Sequence, residues 1–284
     1  MTEAKGQADL AALREKYPRL MRGDYAARFT AALAVIAIFG LLAYAFYRFE
    51  FSLTRIGEGV HRLFGFVVLM FPPSPGAQLN LFLKAMAETL AMAFLGTLIA
   101  SAFAFPIGLL AARNVLPSFL ARFLIRRGMD TMRSIDTLIW ALIWIYVVGP
   151  GPFAGILAIA TTDIGALAKL FSETIENTGR QAEEGVIASG GGALSRIRFG
   201  LIPEALPVMV SQVLYFIESN TRSATIVGIV GAGGIGLYLT ESIRSNDWDK
   251  VAFIIILILI AVAIIDFISS RLRRAIAGTN TAPL

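Results

Sequence analysis

The chain has 284 residues, 56% of them hydrophobic and only 16% charged, a balance foreign to water-soluble globular domains and typical of proteins that live in a bilayer. Cysteine is absent and histidine occurs once, at His61, so disulfides, thiolate metal sites, cysteine nucleophiles and an intramembrane His-based dyad are excluded. The net charge of +5 does not point to nucleic acid, because the basic residues sort by side of a membrane: six in residues 1–28, five in 111–133, four in 169–203 and three at Arg271, Arg273 and Arg274, against seven elsewhere. That sorting predicts both termini in the cytoplasm and an even number of spans.

Residues 1–28 read as a cytoplasmic leader, a short amphipathic or frayed helix. Glu3, Asp9 and Glu15 among its basic residues, and its length, set it apart from a cleavable signal peptide. The first span is expected over residues 29–47. A variable outer loop then runs to residue 84, and its apolar, proline-rich "FGFVVLMFPPSPG" suits a segment lying at the interface rather than crossing it.

The main membrane core is expected over residues 85–274, followed by a tail, 275–284. Its first span, 85–112, carries Gly96 and Pro106, tolerable where neighbouring helices re-satisfy the backbone. Residues 137–170 read as two spans joined by "VVGPGPFAG", an outer-side hairpin whose Pro and Gly stop one helix and start the next. Asp136 stands near the inner interface, and Thr162 and Asp163 place polar groups at membrane depth, where a carboxylate faces either protein or a wet cavity. The polar stretch 172–203 predicts two short helices bent at Gly190-Gly191-Gly192 and lying along the inner surface. A last span over 251–268 brings the count to about six, an all-α polytopic architecture.

The segment between Pro203 and the last span holds the sharpest features. Its apolar part, 205–217, is too short to cross alone, so a span there takes in "ESNTRS" and carries Glu218, Asn220, Thr221 and Arg222 into or near the outer half of the bilayer. The spacing of Glu218 and Arg222 allows an internal i, i+4 ion pair; the alternative is an arginine that faces a path. Downstream, "IVGIVGAGGIG" imitates a dinucleotide-binding G-x-G-x-x-G at Gly231, Gly233 and Gly236, with Gly234 between. A β-α-β unit has no place in a bilayer, where sheet edges go unsatisfied, so the glycines are assigned to close helix packing or a gate in a half-helix or re-entrant segment.

Two stretches together resemble a known family. "EEGVIASGGGALSRIRFGLIP" is similar to the EAA motif of type I ABC importer permeases, with Glu184, Gly190 and Pro203 at the motif's Glu, Gly and Pro; Gly185, Val186 and Ile202 depart from the usual residues. "ESNTRSATIVGIVGAGGIG" resembles the phosphonate branch of that family. The resemblance implies a type I ABC importer permease fold with a cytoplasmic coupling helix at about 180–203, in which Glu183, Glu184, Gly190, Arg196 and Pro203 serve ATPase coupling. It implies as partners a cytoplasmic ABC ATPase dimer, an outer substrate-binding protein, a second permease copy in a homodimer, and membrane lipid, but no nucleic acid. No cofactor or metal is expected in this chain, ATP and Mg being bound by the ATPase; consistently, no G-x-x-x-x-G-K-[ST] occurs. The chain is then a non-catalytic permease of the bacterial inner membrane, importing phosphonates or a related small phosphorus oxyanion. Arg222, Asn220, Glu218, Thr221, Asp163 and Thr162 are its candidate substrate-pathway residues, with arginine suited to an oxyanion's paired oxygens. The competing class is a gradient-driven anion transporter with Asp163 or Glu218 as coupling sites.

Overall fold

The computed structural model describes residues 25–49 and 52–278, among which no strand occurs. Most of the expected leader, residues 1–24, and most of the tail, 279–284, lie outside the described residues. The chain divides after Phe66 into two units, a division that falls inside the expected 29–84 segment.

In the first unit, α1 (Tyr25–Arg48) is apolar on all sides, with a mean hydropathy of 2.3 over Phe29–Arg48. At about 1.5 Å per residue it is long enough to cross the hydrocarbon. Helix α2 (Leu53–Leu69), which runs on into the second unit, has 17 residues. It sets Ile56, Val60, Leu63, Phe64 and Val67 on one face and Arg55, Glu58 and Arg62 on another, the pattern of a helix lying in the interface.

The second unit is built on α3 (Leu79–Ala111) and α6 (Pro152–Glu176), which pack along their lengths through small residues. A Cβ added to Gly96 would stand 2.8 Å from Ile159 Cγ2, and one on Gly108 2.8 Å from Phe171 Cβ. Ala93, Ala100, Ala104 and Ala111 of α3 and Ala158, Ala160 and Ala168 of α6 are buried, whereas Phe94, Leu98, Phe103 and Leu110 point outward. Small residues inside and large ones outside is the inverse of a soluble core: the surroundings are as apolar as leucine, and close backbone approach supplies the cohesion.

Between these two helices the chain makes a broken crossing. Helix α4 (Phe119–Ser134) and α5 (Thr137–Val148) meet at 88°. Asp136 caps α5, its Oδ1 accepting from the Leu138 N–H at 2.8 Å, and that is the function the structure gives this carboxylate. The expected pair of full spans over 137–170 is thereby corrected. Helix α5, with 12 residues, reaches only about 18 Å and cannot cross alone. Its hairpin to α6 is as expected, turning at Gly149 (φ 89°) and Gly151 (φ 138°). By length and composition five helices can cross a membrane, or six if the bent pair is one crossing.

After α6 come α7 (Arg180–Ala188), a reversal at Gly190 (φ 81°), and the short helix Ala193–Ser195. The backbone then continues through a widened turn, Arg196–Leu201, into α8 (Ile202–Val227) without leaving helical geometry. Pro203 is the second residue of α8, with helical backbone on both sides of it. The Ile202 N–H reaches back five residues to the Ile197 carbonyl, and the loosened turn accommodates a proline that has no N–H and would crowd a carbonyl one turn back. The bend at the glycines is as predicted, but only the first of the two expected short helices stands by itself, as α7; residues 172–176 end α6, and the stretch after the glycines begins the helix that continues as α8.

Helix α8 ends in the glycine segment. Gly231 (φ 107°), Gly233 (φ 81°) and Gly234 (φ 68°) all occupy the left-handed region, and they fold the chain back into α9 (Gly234–Arg244). Gly236 packs so closely on α8 that a Cβ there would lie 2.0 Å from the Thr225 carbonyl oxygen. This is the expected half-helix, and the fingerprint-like glycines are packing residues. Helix α10 (Trp248–Gly278) completes the unit and includes Arg271, Arg273 and Arg274, which the sequence had suggested for the cytoplasmic flank.

Candidate functional site: the free face of α8 and the coupling segment

At about 100° per residue, neighbouring positions on α8 face different ways, and its polar cluster is dispersed accordingly. Asn220 turns inward and is 6% exposed. Its Nδ2 donates to Thr97 Oγ1 at 2.8 Å and to the carboxylate of Asp163, which is itself buried, so that α3, α6 and α8 are tied together near the midpoints of α3 and α6. Thr221 is also buried and returns its hydroxyl to the Ile217 carbonyl at 2.9 Å; half-buried Thr162 does the same with Ala158 at 3.1 Å. Asp163 was expected at membrane depth, and Asn220 and Thr221 in or near the outer half of the bilayer, all as candidates for the path. The structure buries all three, each of them bonded: Asn220 to Asp163 and Thr97, and Thr221 to a carbonyl of its own helix.

Glu218 likewise departs from expectation. It binds Arg273 of α10 at 2.8 Å, not Arg222. The i, i+4 spacing made Arg222 the obvious partner, but the α10 cation lies beside the carboxylate and satisfies it. Sequence gave no signal for that pairing, since 55 positions separate the two residues. Thr97 was equally silent, a single hydroxyl in an apolar run.

Arg222 is left on the exposed face of α8, in line with Tyr215, Ile226 and Ile229, which are 55%, 50% and 42% exposed. No ion pair engages it among the described residues. An arginine at membrane depth does not face hydrocarbon, so this strip must meet protein or a wet path. At its outer end the strip opens into a cavity of about 440 Å³ bounded by Ile229, Gly231, Glu241 and Arg244.

The coupling segment is organised by Arg196. Its guanidinium binds Glu183 of α7 at 3.0 Å and donates to the Asn114 carbonyl of the α3–α4 turn at 2.7 Å. Asn114 Nδ2 in turn donates to the Ile175 carbonyl at 2.9 Å, and the Arg113 N–H to Glu176 Oε1 at 2.7 Å. Arg126 of α4 also binds Glu176. Glu183 and Arg196 are thus brought together, while Glu184, Ile187, Leu194 and Phe199 remain exposed on the outside of the segment. Among the described residues there is no cluster of three or more His, Cys, Asp or Glu fit for a metal.

Residues 104–278 match the family described as the binding-protein-dependent transport system inner membrane component. The chain belongs to this family. The permease is 38% identical to a putative phosphite transport system permease protein of Stutzerimonas stutzeri, over 92% of either chain. It is 37% identical to a phosphate-import permease protein of Mycolicibacterium smegmatis, over 74% of this chain and 39% of that one. Its fold is similar to an inward-facing methionine ABC transporter structure, with a TM-score of 0.62 and 22% identity over 72% of this chain and 99% of that one. This inner-membrane, multi-pass protein is therefore the permease subunit of an ATP-driven importer with the type I permease fold. It is not the enzyme of the system; ATPase, binding-protein and second permease subunits are the partners that the fold implies.

Proposed function

We propose that the permease imports a small phosphorus oxyanion, a phosphonate, phosphite or phosphate, along a path lined by the free face of α8. The observation that carries this reading is Arg222: a cation in a membrane-spanning helix, exposed and without an ion pair among the described residues, on a strip that lipid would not tolerate. Its guanidinium offers paired donors to an oxyanion, and a single weakly held anion can move on. The substrates named for the phosphite and phosphate relatives support the same class.

In this reading two identical copies enclose the path, each covering the other's α8 strip. The ATPase dimer seats on α7 through Glu184, Ile187 and neighbouring exposed residues, and ATP and Mg belong to that partner. The binding protein delivers at the opposite face, both termini are cytoplasmic, and the glycine turn Gly231–Gly236 acts as the outer packing point or gate. Asn220, Asp163, Thr221 and Thr162 support α8 from behind, and Glu218 anchors it to α10.

The test is uptake of labelled phosphite, 2-aminoethylphosphonate and phosphate into proteoliposomes holding the full importer, with ATP inside and ion gradients collapsed. ATP-dependent uptake of at least one of the three is expected, and Arg222→Ala lowers it by about tenfold or more, the loss of one charge-assisted contact, while leaving assembly intact. Uptake that waits for an ion gradient, or that Arg222→Ala leaves unchanged, refutes the proposal.

A further inference from the structure

The coupling segment is joined to the rest of the permease by the chain at both ends, to α6 and to α8, by the Gly179 N–H to Glu204 bond, and by Ile197, which packs against residues of α3 and α6. Its polar tie to the α3–α4 turn runs through one side chain. Arg196 holds Glu183 on α7 with one arm and the Asn114 carbonyl on the α3–α4 turn with another, across 82 positions of sequence. Glu183 is pinned there by more than charge: Gly200, on the next turn from Arg196, lies so close that an added Cβ would stand 3.1 Å from the Glu183 Cα. Arg196 and Glu183 side chains are 28% and 17% exposed, so the pair is shielded from the water that weakens surface ion pairs.

Beyond Asn114 the contacts continue. Its side chain is fixed to the end of α6 by the Ile175 carbonyl, and Arg113 and Arg126 grip Glu176. Helix α4 then passes α6 at Gly165, where an added Cβ would be 2.6 Å from the Met129 carbonyl, and bends by 88° into α5. Among the described residues the Arg196 Nε and Asn114 Oδ1 have no hydrogen-bond partner, though both are buried, a donor and an acceptor on the two residues that form this contact. Buried polar groups are nearly always bonded. A contact that leaves a matching pair unused has a second arrangement open to it.

We propose that Arg196 is a positioning residue that carries movement of α7 to the α3–α4 turn, so that the ATPase drives α4 and α5 as well as α8. This rests on the reading of α7 as the ATPase seat. The side-chain tie brings the α3–α4 turn into the motion of α7, which the chain connections to α6 and α8 alone would not do.

The absence of native cysteine makes the test direct. Spin labels are placed at Ala182→Cys, on the side of α7 away from Glu184 and Ile187, and at Ser118→Cys in the α3–α4 turn, both exposed positions, in the full importer. Their distance is measured by pulsed electron resonance with and without ATP. With Arg196 present the distribution is expected to stay narrow and to be unchanged by ATP. With Arg196→Gln or Glu183→Gln it broadens and shifts when ATP is added, uptake falls by about tenfold or more, and ATP hydrolysis stays within about twofold, the signature of lost coupling rather than lost assembly. Arg196→Lys, which keeps the charge but not the fork, gives an intermediate uptake. A broad distribution in the native chain, an unaltered one in both Gln variants, or hydrolysis and uptake falling together would overturn the proposal. Failure of the oxyanion reading shows separately, as intact label behaviour in an importer that takes up none of the three anions.

Discussion

Asn220 does the work that sequence had assigned to a path. It joins Thr97 and Asp163, and each of the three lies in a different helix. Asn220→Ala removes the donor from a buried carboxyl and is expected to destabilise the permease by about 2–4 kcal/mol. Asp163→Asn keeps an acceptor for the same amide and costs less than about 1.5 kcal/mol. Thermal unfolding in detergent, followed by helical circular dichroism, ranks the two; a larger loss for Asp163→Asn would mean that the carboxylate has a partner other than Asn220. Polarity at depth was legible in the sequence, but not its direction. One hundred degrees per residue on three helices decides which groups meet, and the sequence alone supplies the phase of none of them. Arg222 was legible because its chemistry is anomalous in a span whatever the phase.

Among the elements, hydropathy found α1, α3, α6 and α10, with ends that fell short by up to ten residues at the C-terminus of α10, and the glycine run was readable as a break. The right angle between α4 and α5 was not. In the sequence, 111–133 stands out only as five basic residues on the inner side, with no helix assigned there, yet Met129 is buried and Gly165 of α6 is hollowed out to receive one. Glycine's role at such crossings is testable by contrast. Gly236→Ala drives a methyl group into the Thr225 carbonyl and is expected to prevent recovery of folded protein, whereas Gly185→Ala on α7 meets open space and should leave yield unchanged or raise helix stability by up to about 1 kcal/mol. Size-exclusion profiles of the two variants in detergent decide it; equal profiles would refute the claim that α9 folds back on α8 by backbone contact.

On the scale of the molecule, the family match begins at residue 104 and the second unit at Val67, and that unit holds buried clusters of its own. A shortened chain beginning at Val67 is expected to extract and elute as a single helical species; aggregation on extraction would show that α1 belongs to the core after all. The overall class and the way it is driven were visible early because composition, charge sorting and the EAA-like stretch agreed with one another. The internal ties, Glu218 to Arg273 and Arg196 to Asn114, were hidden because they join distant positions with no local pattern.

The helix that starts at Ala193 keeps helical geometry until Gly231, so the Pro203 turn and the membrane crossing belong to one rod. Counted as a span with its flanks, it has 40 residues, a length of about 60 Å. Left-handed glycines mark its two ends, Gly190 and Gly231, and none falls between. Its give lies near the base, at the widened Arg196–Leu201 turn and at Pro203 and Pro207. From Pro207 to Val227 the helix is regular, about 30 Å long, so a one-degree tilt of that part swings its far end by about 0.5 Å, and the glycine turn is the next place able to give.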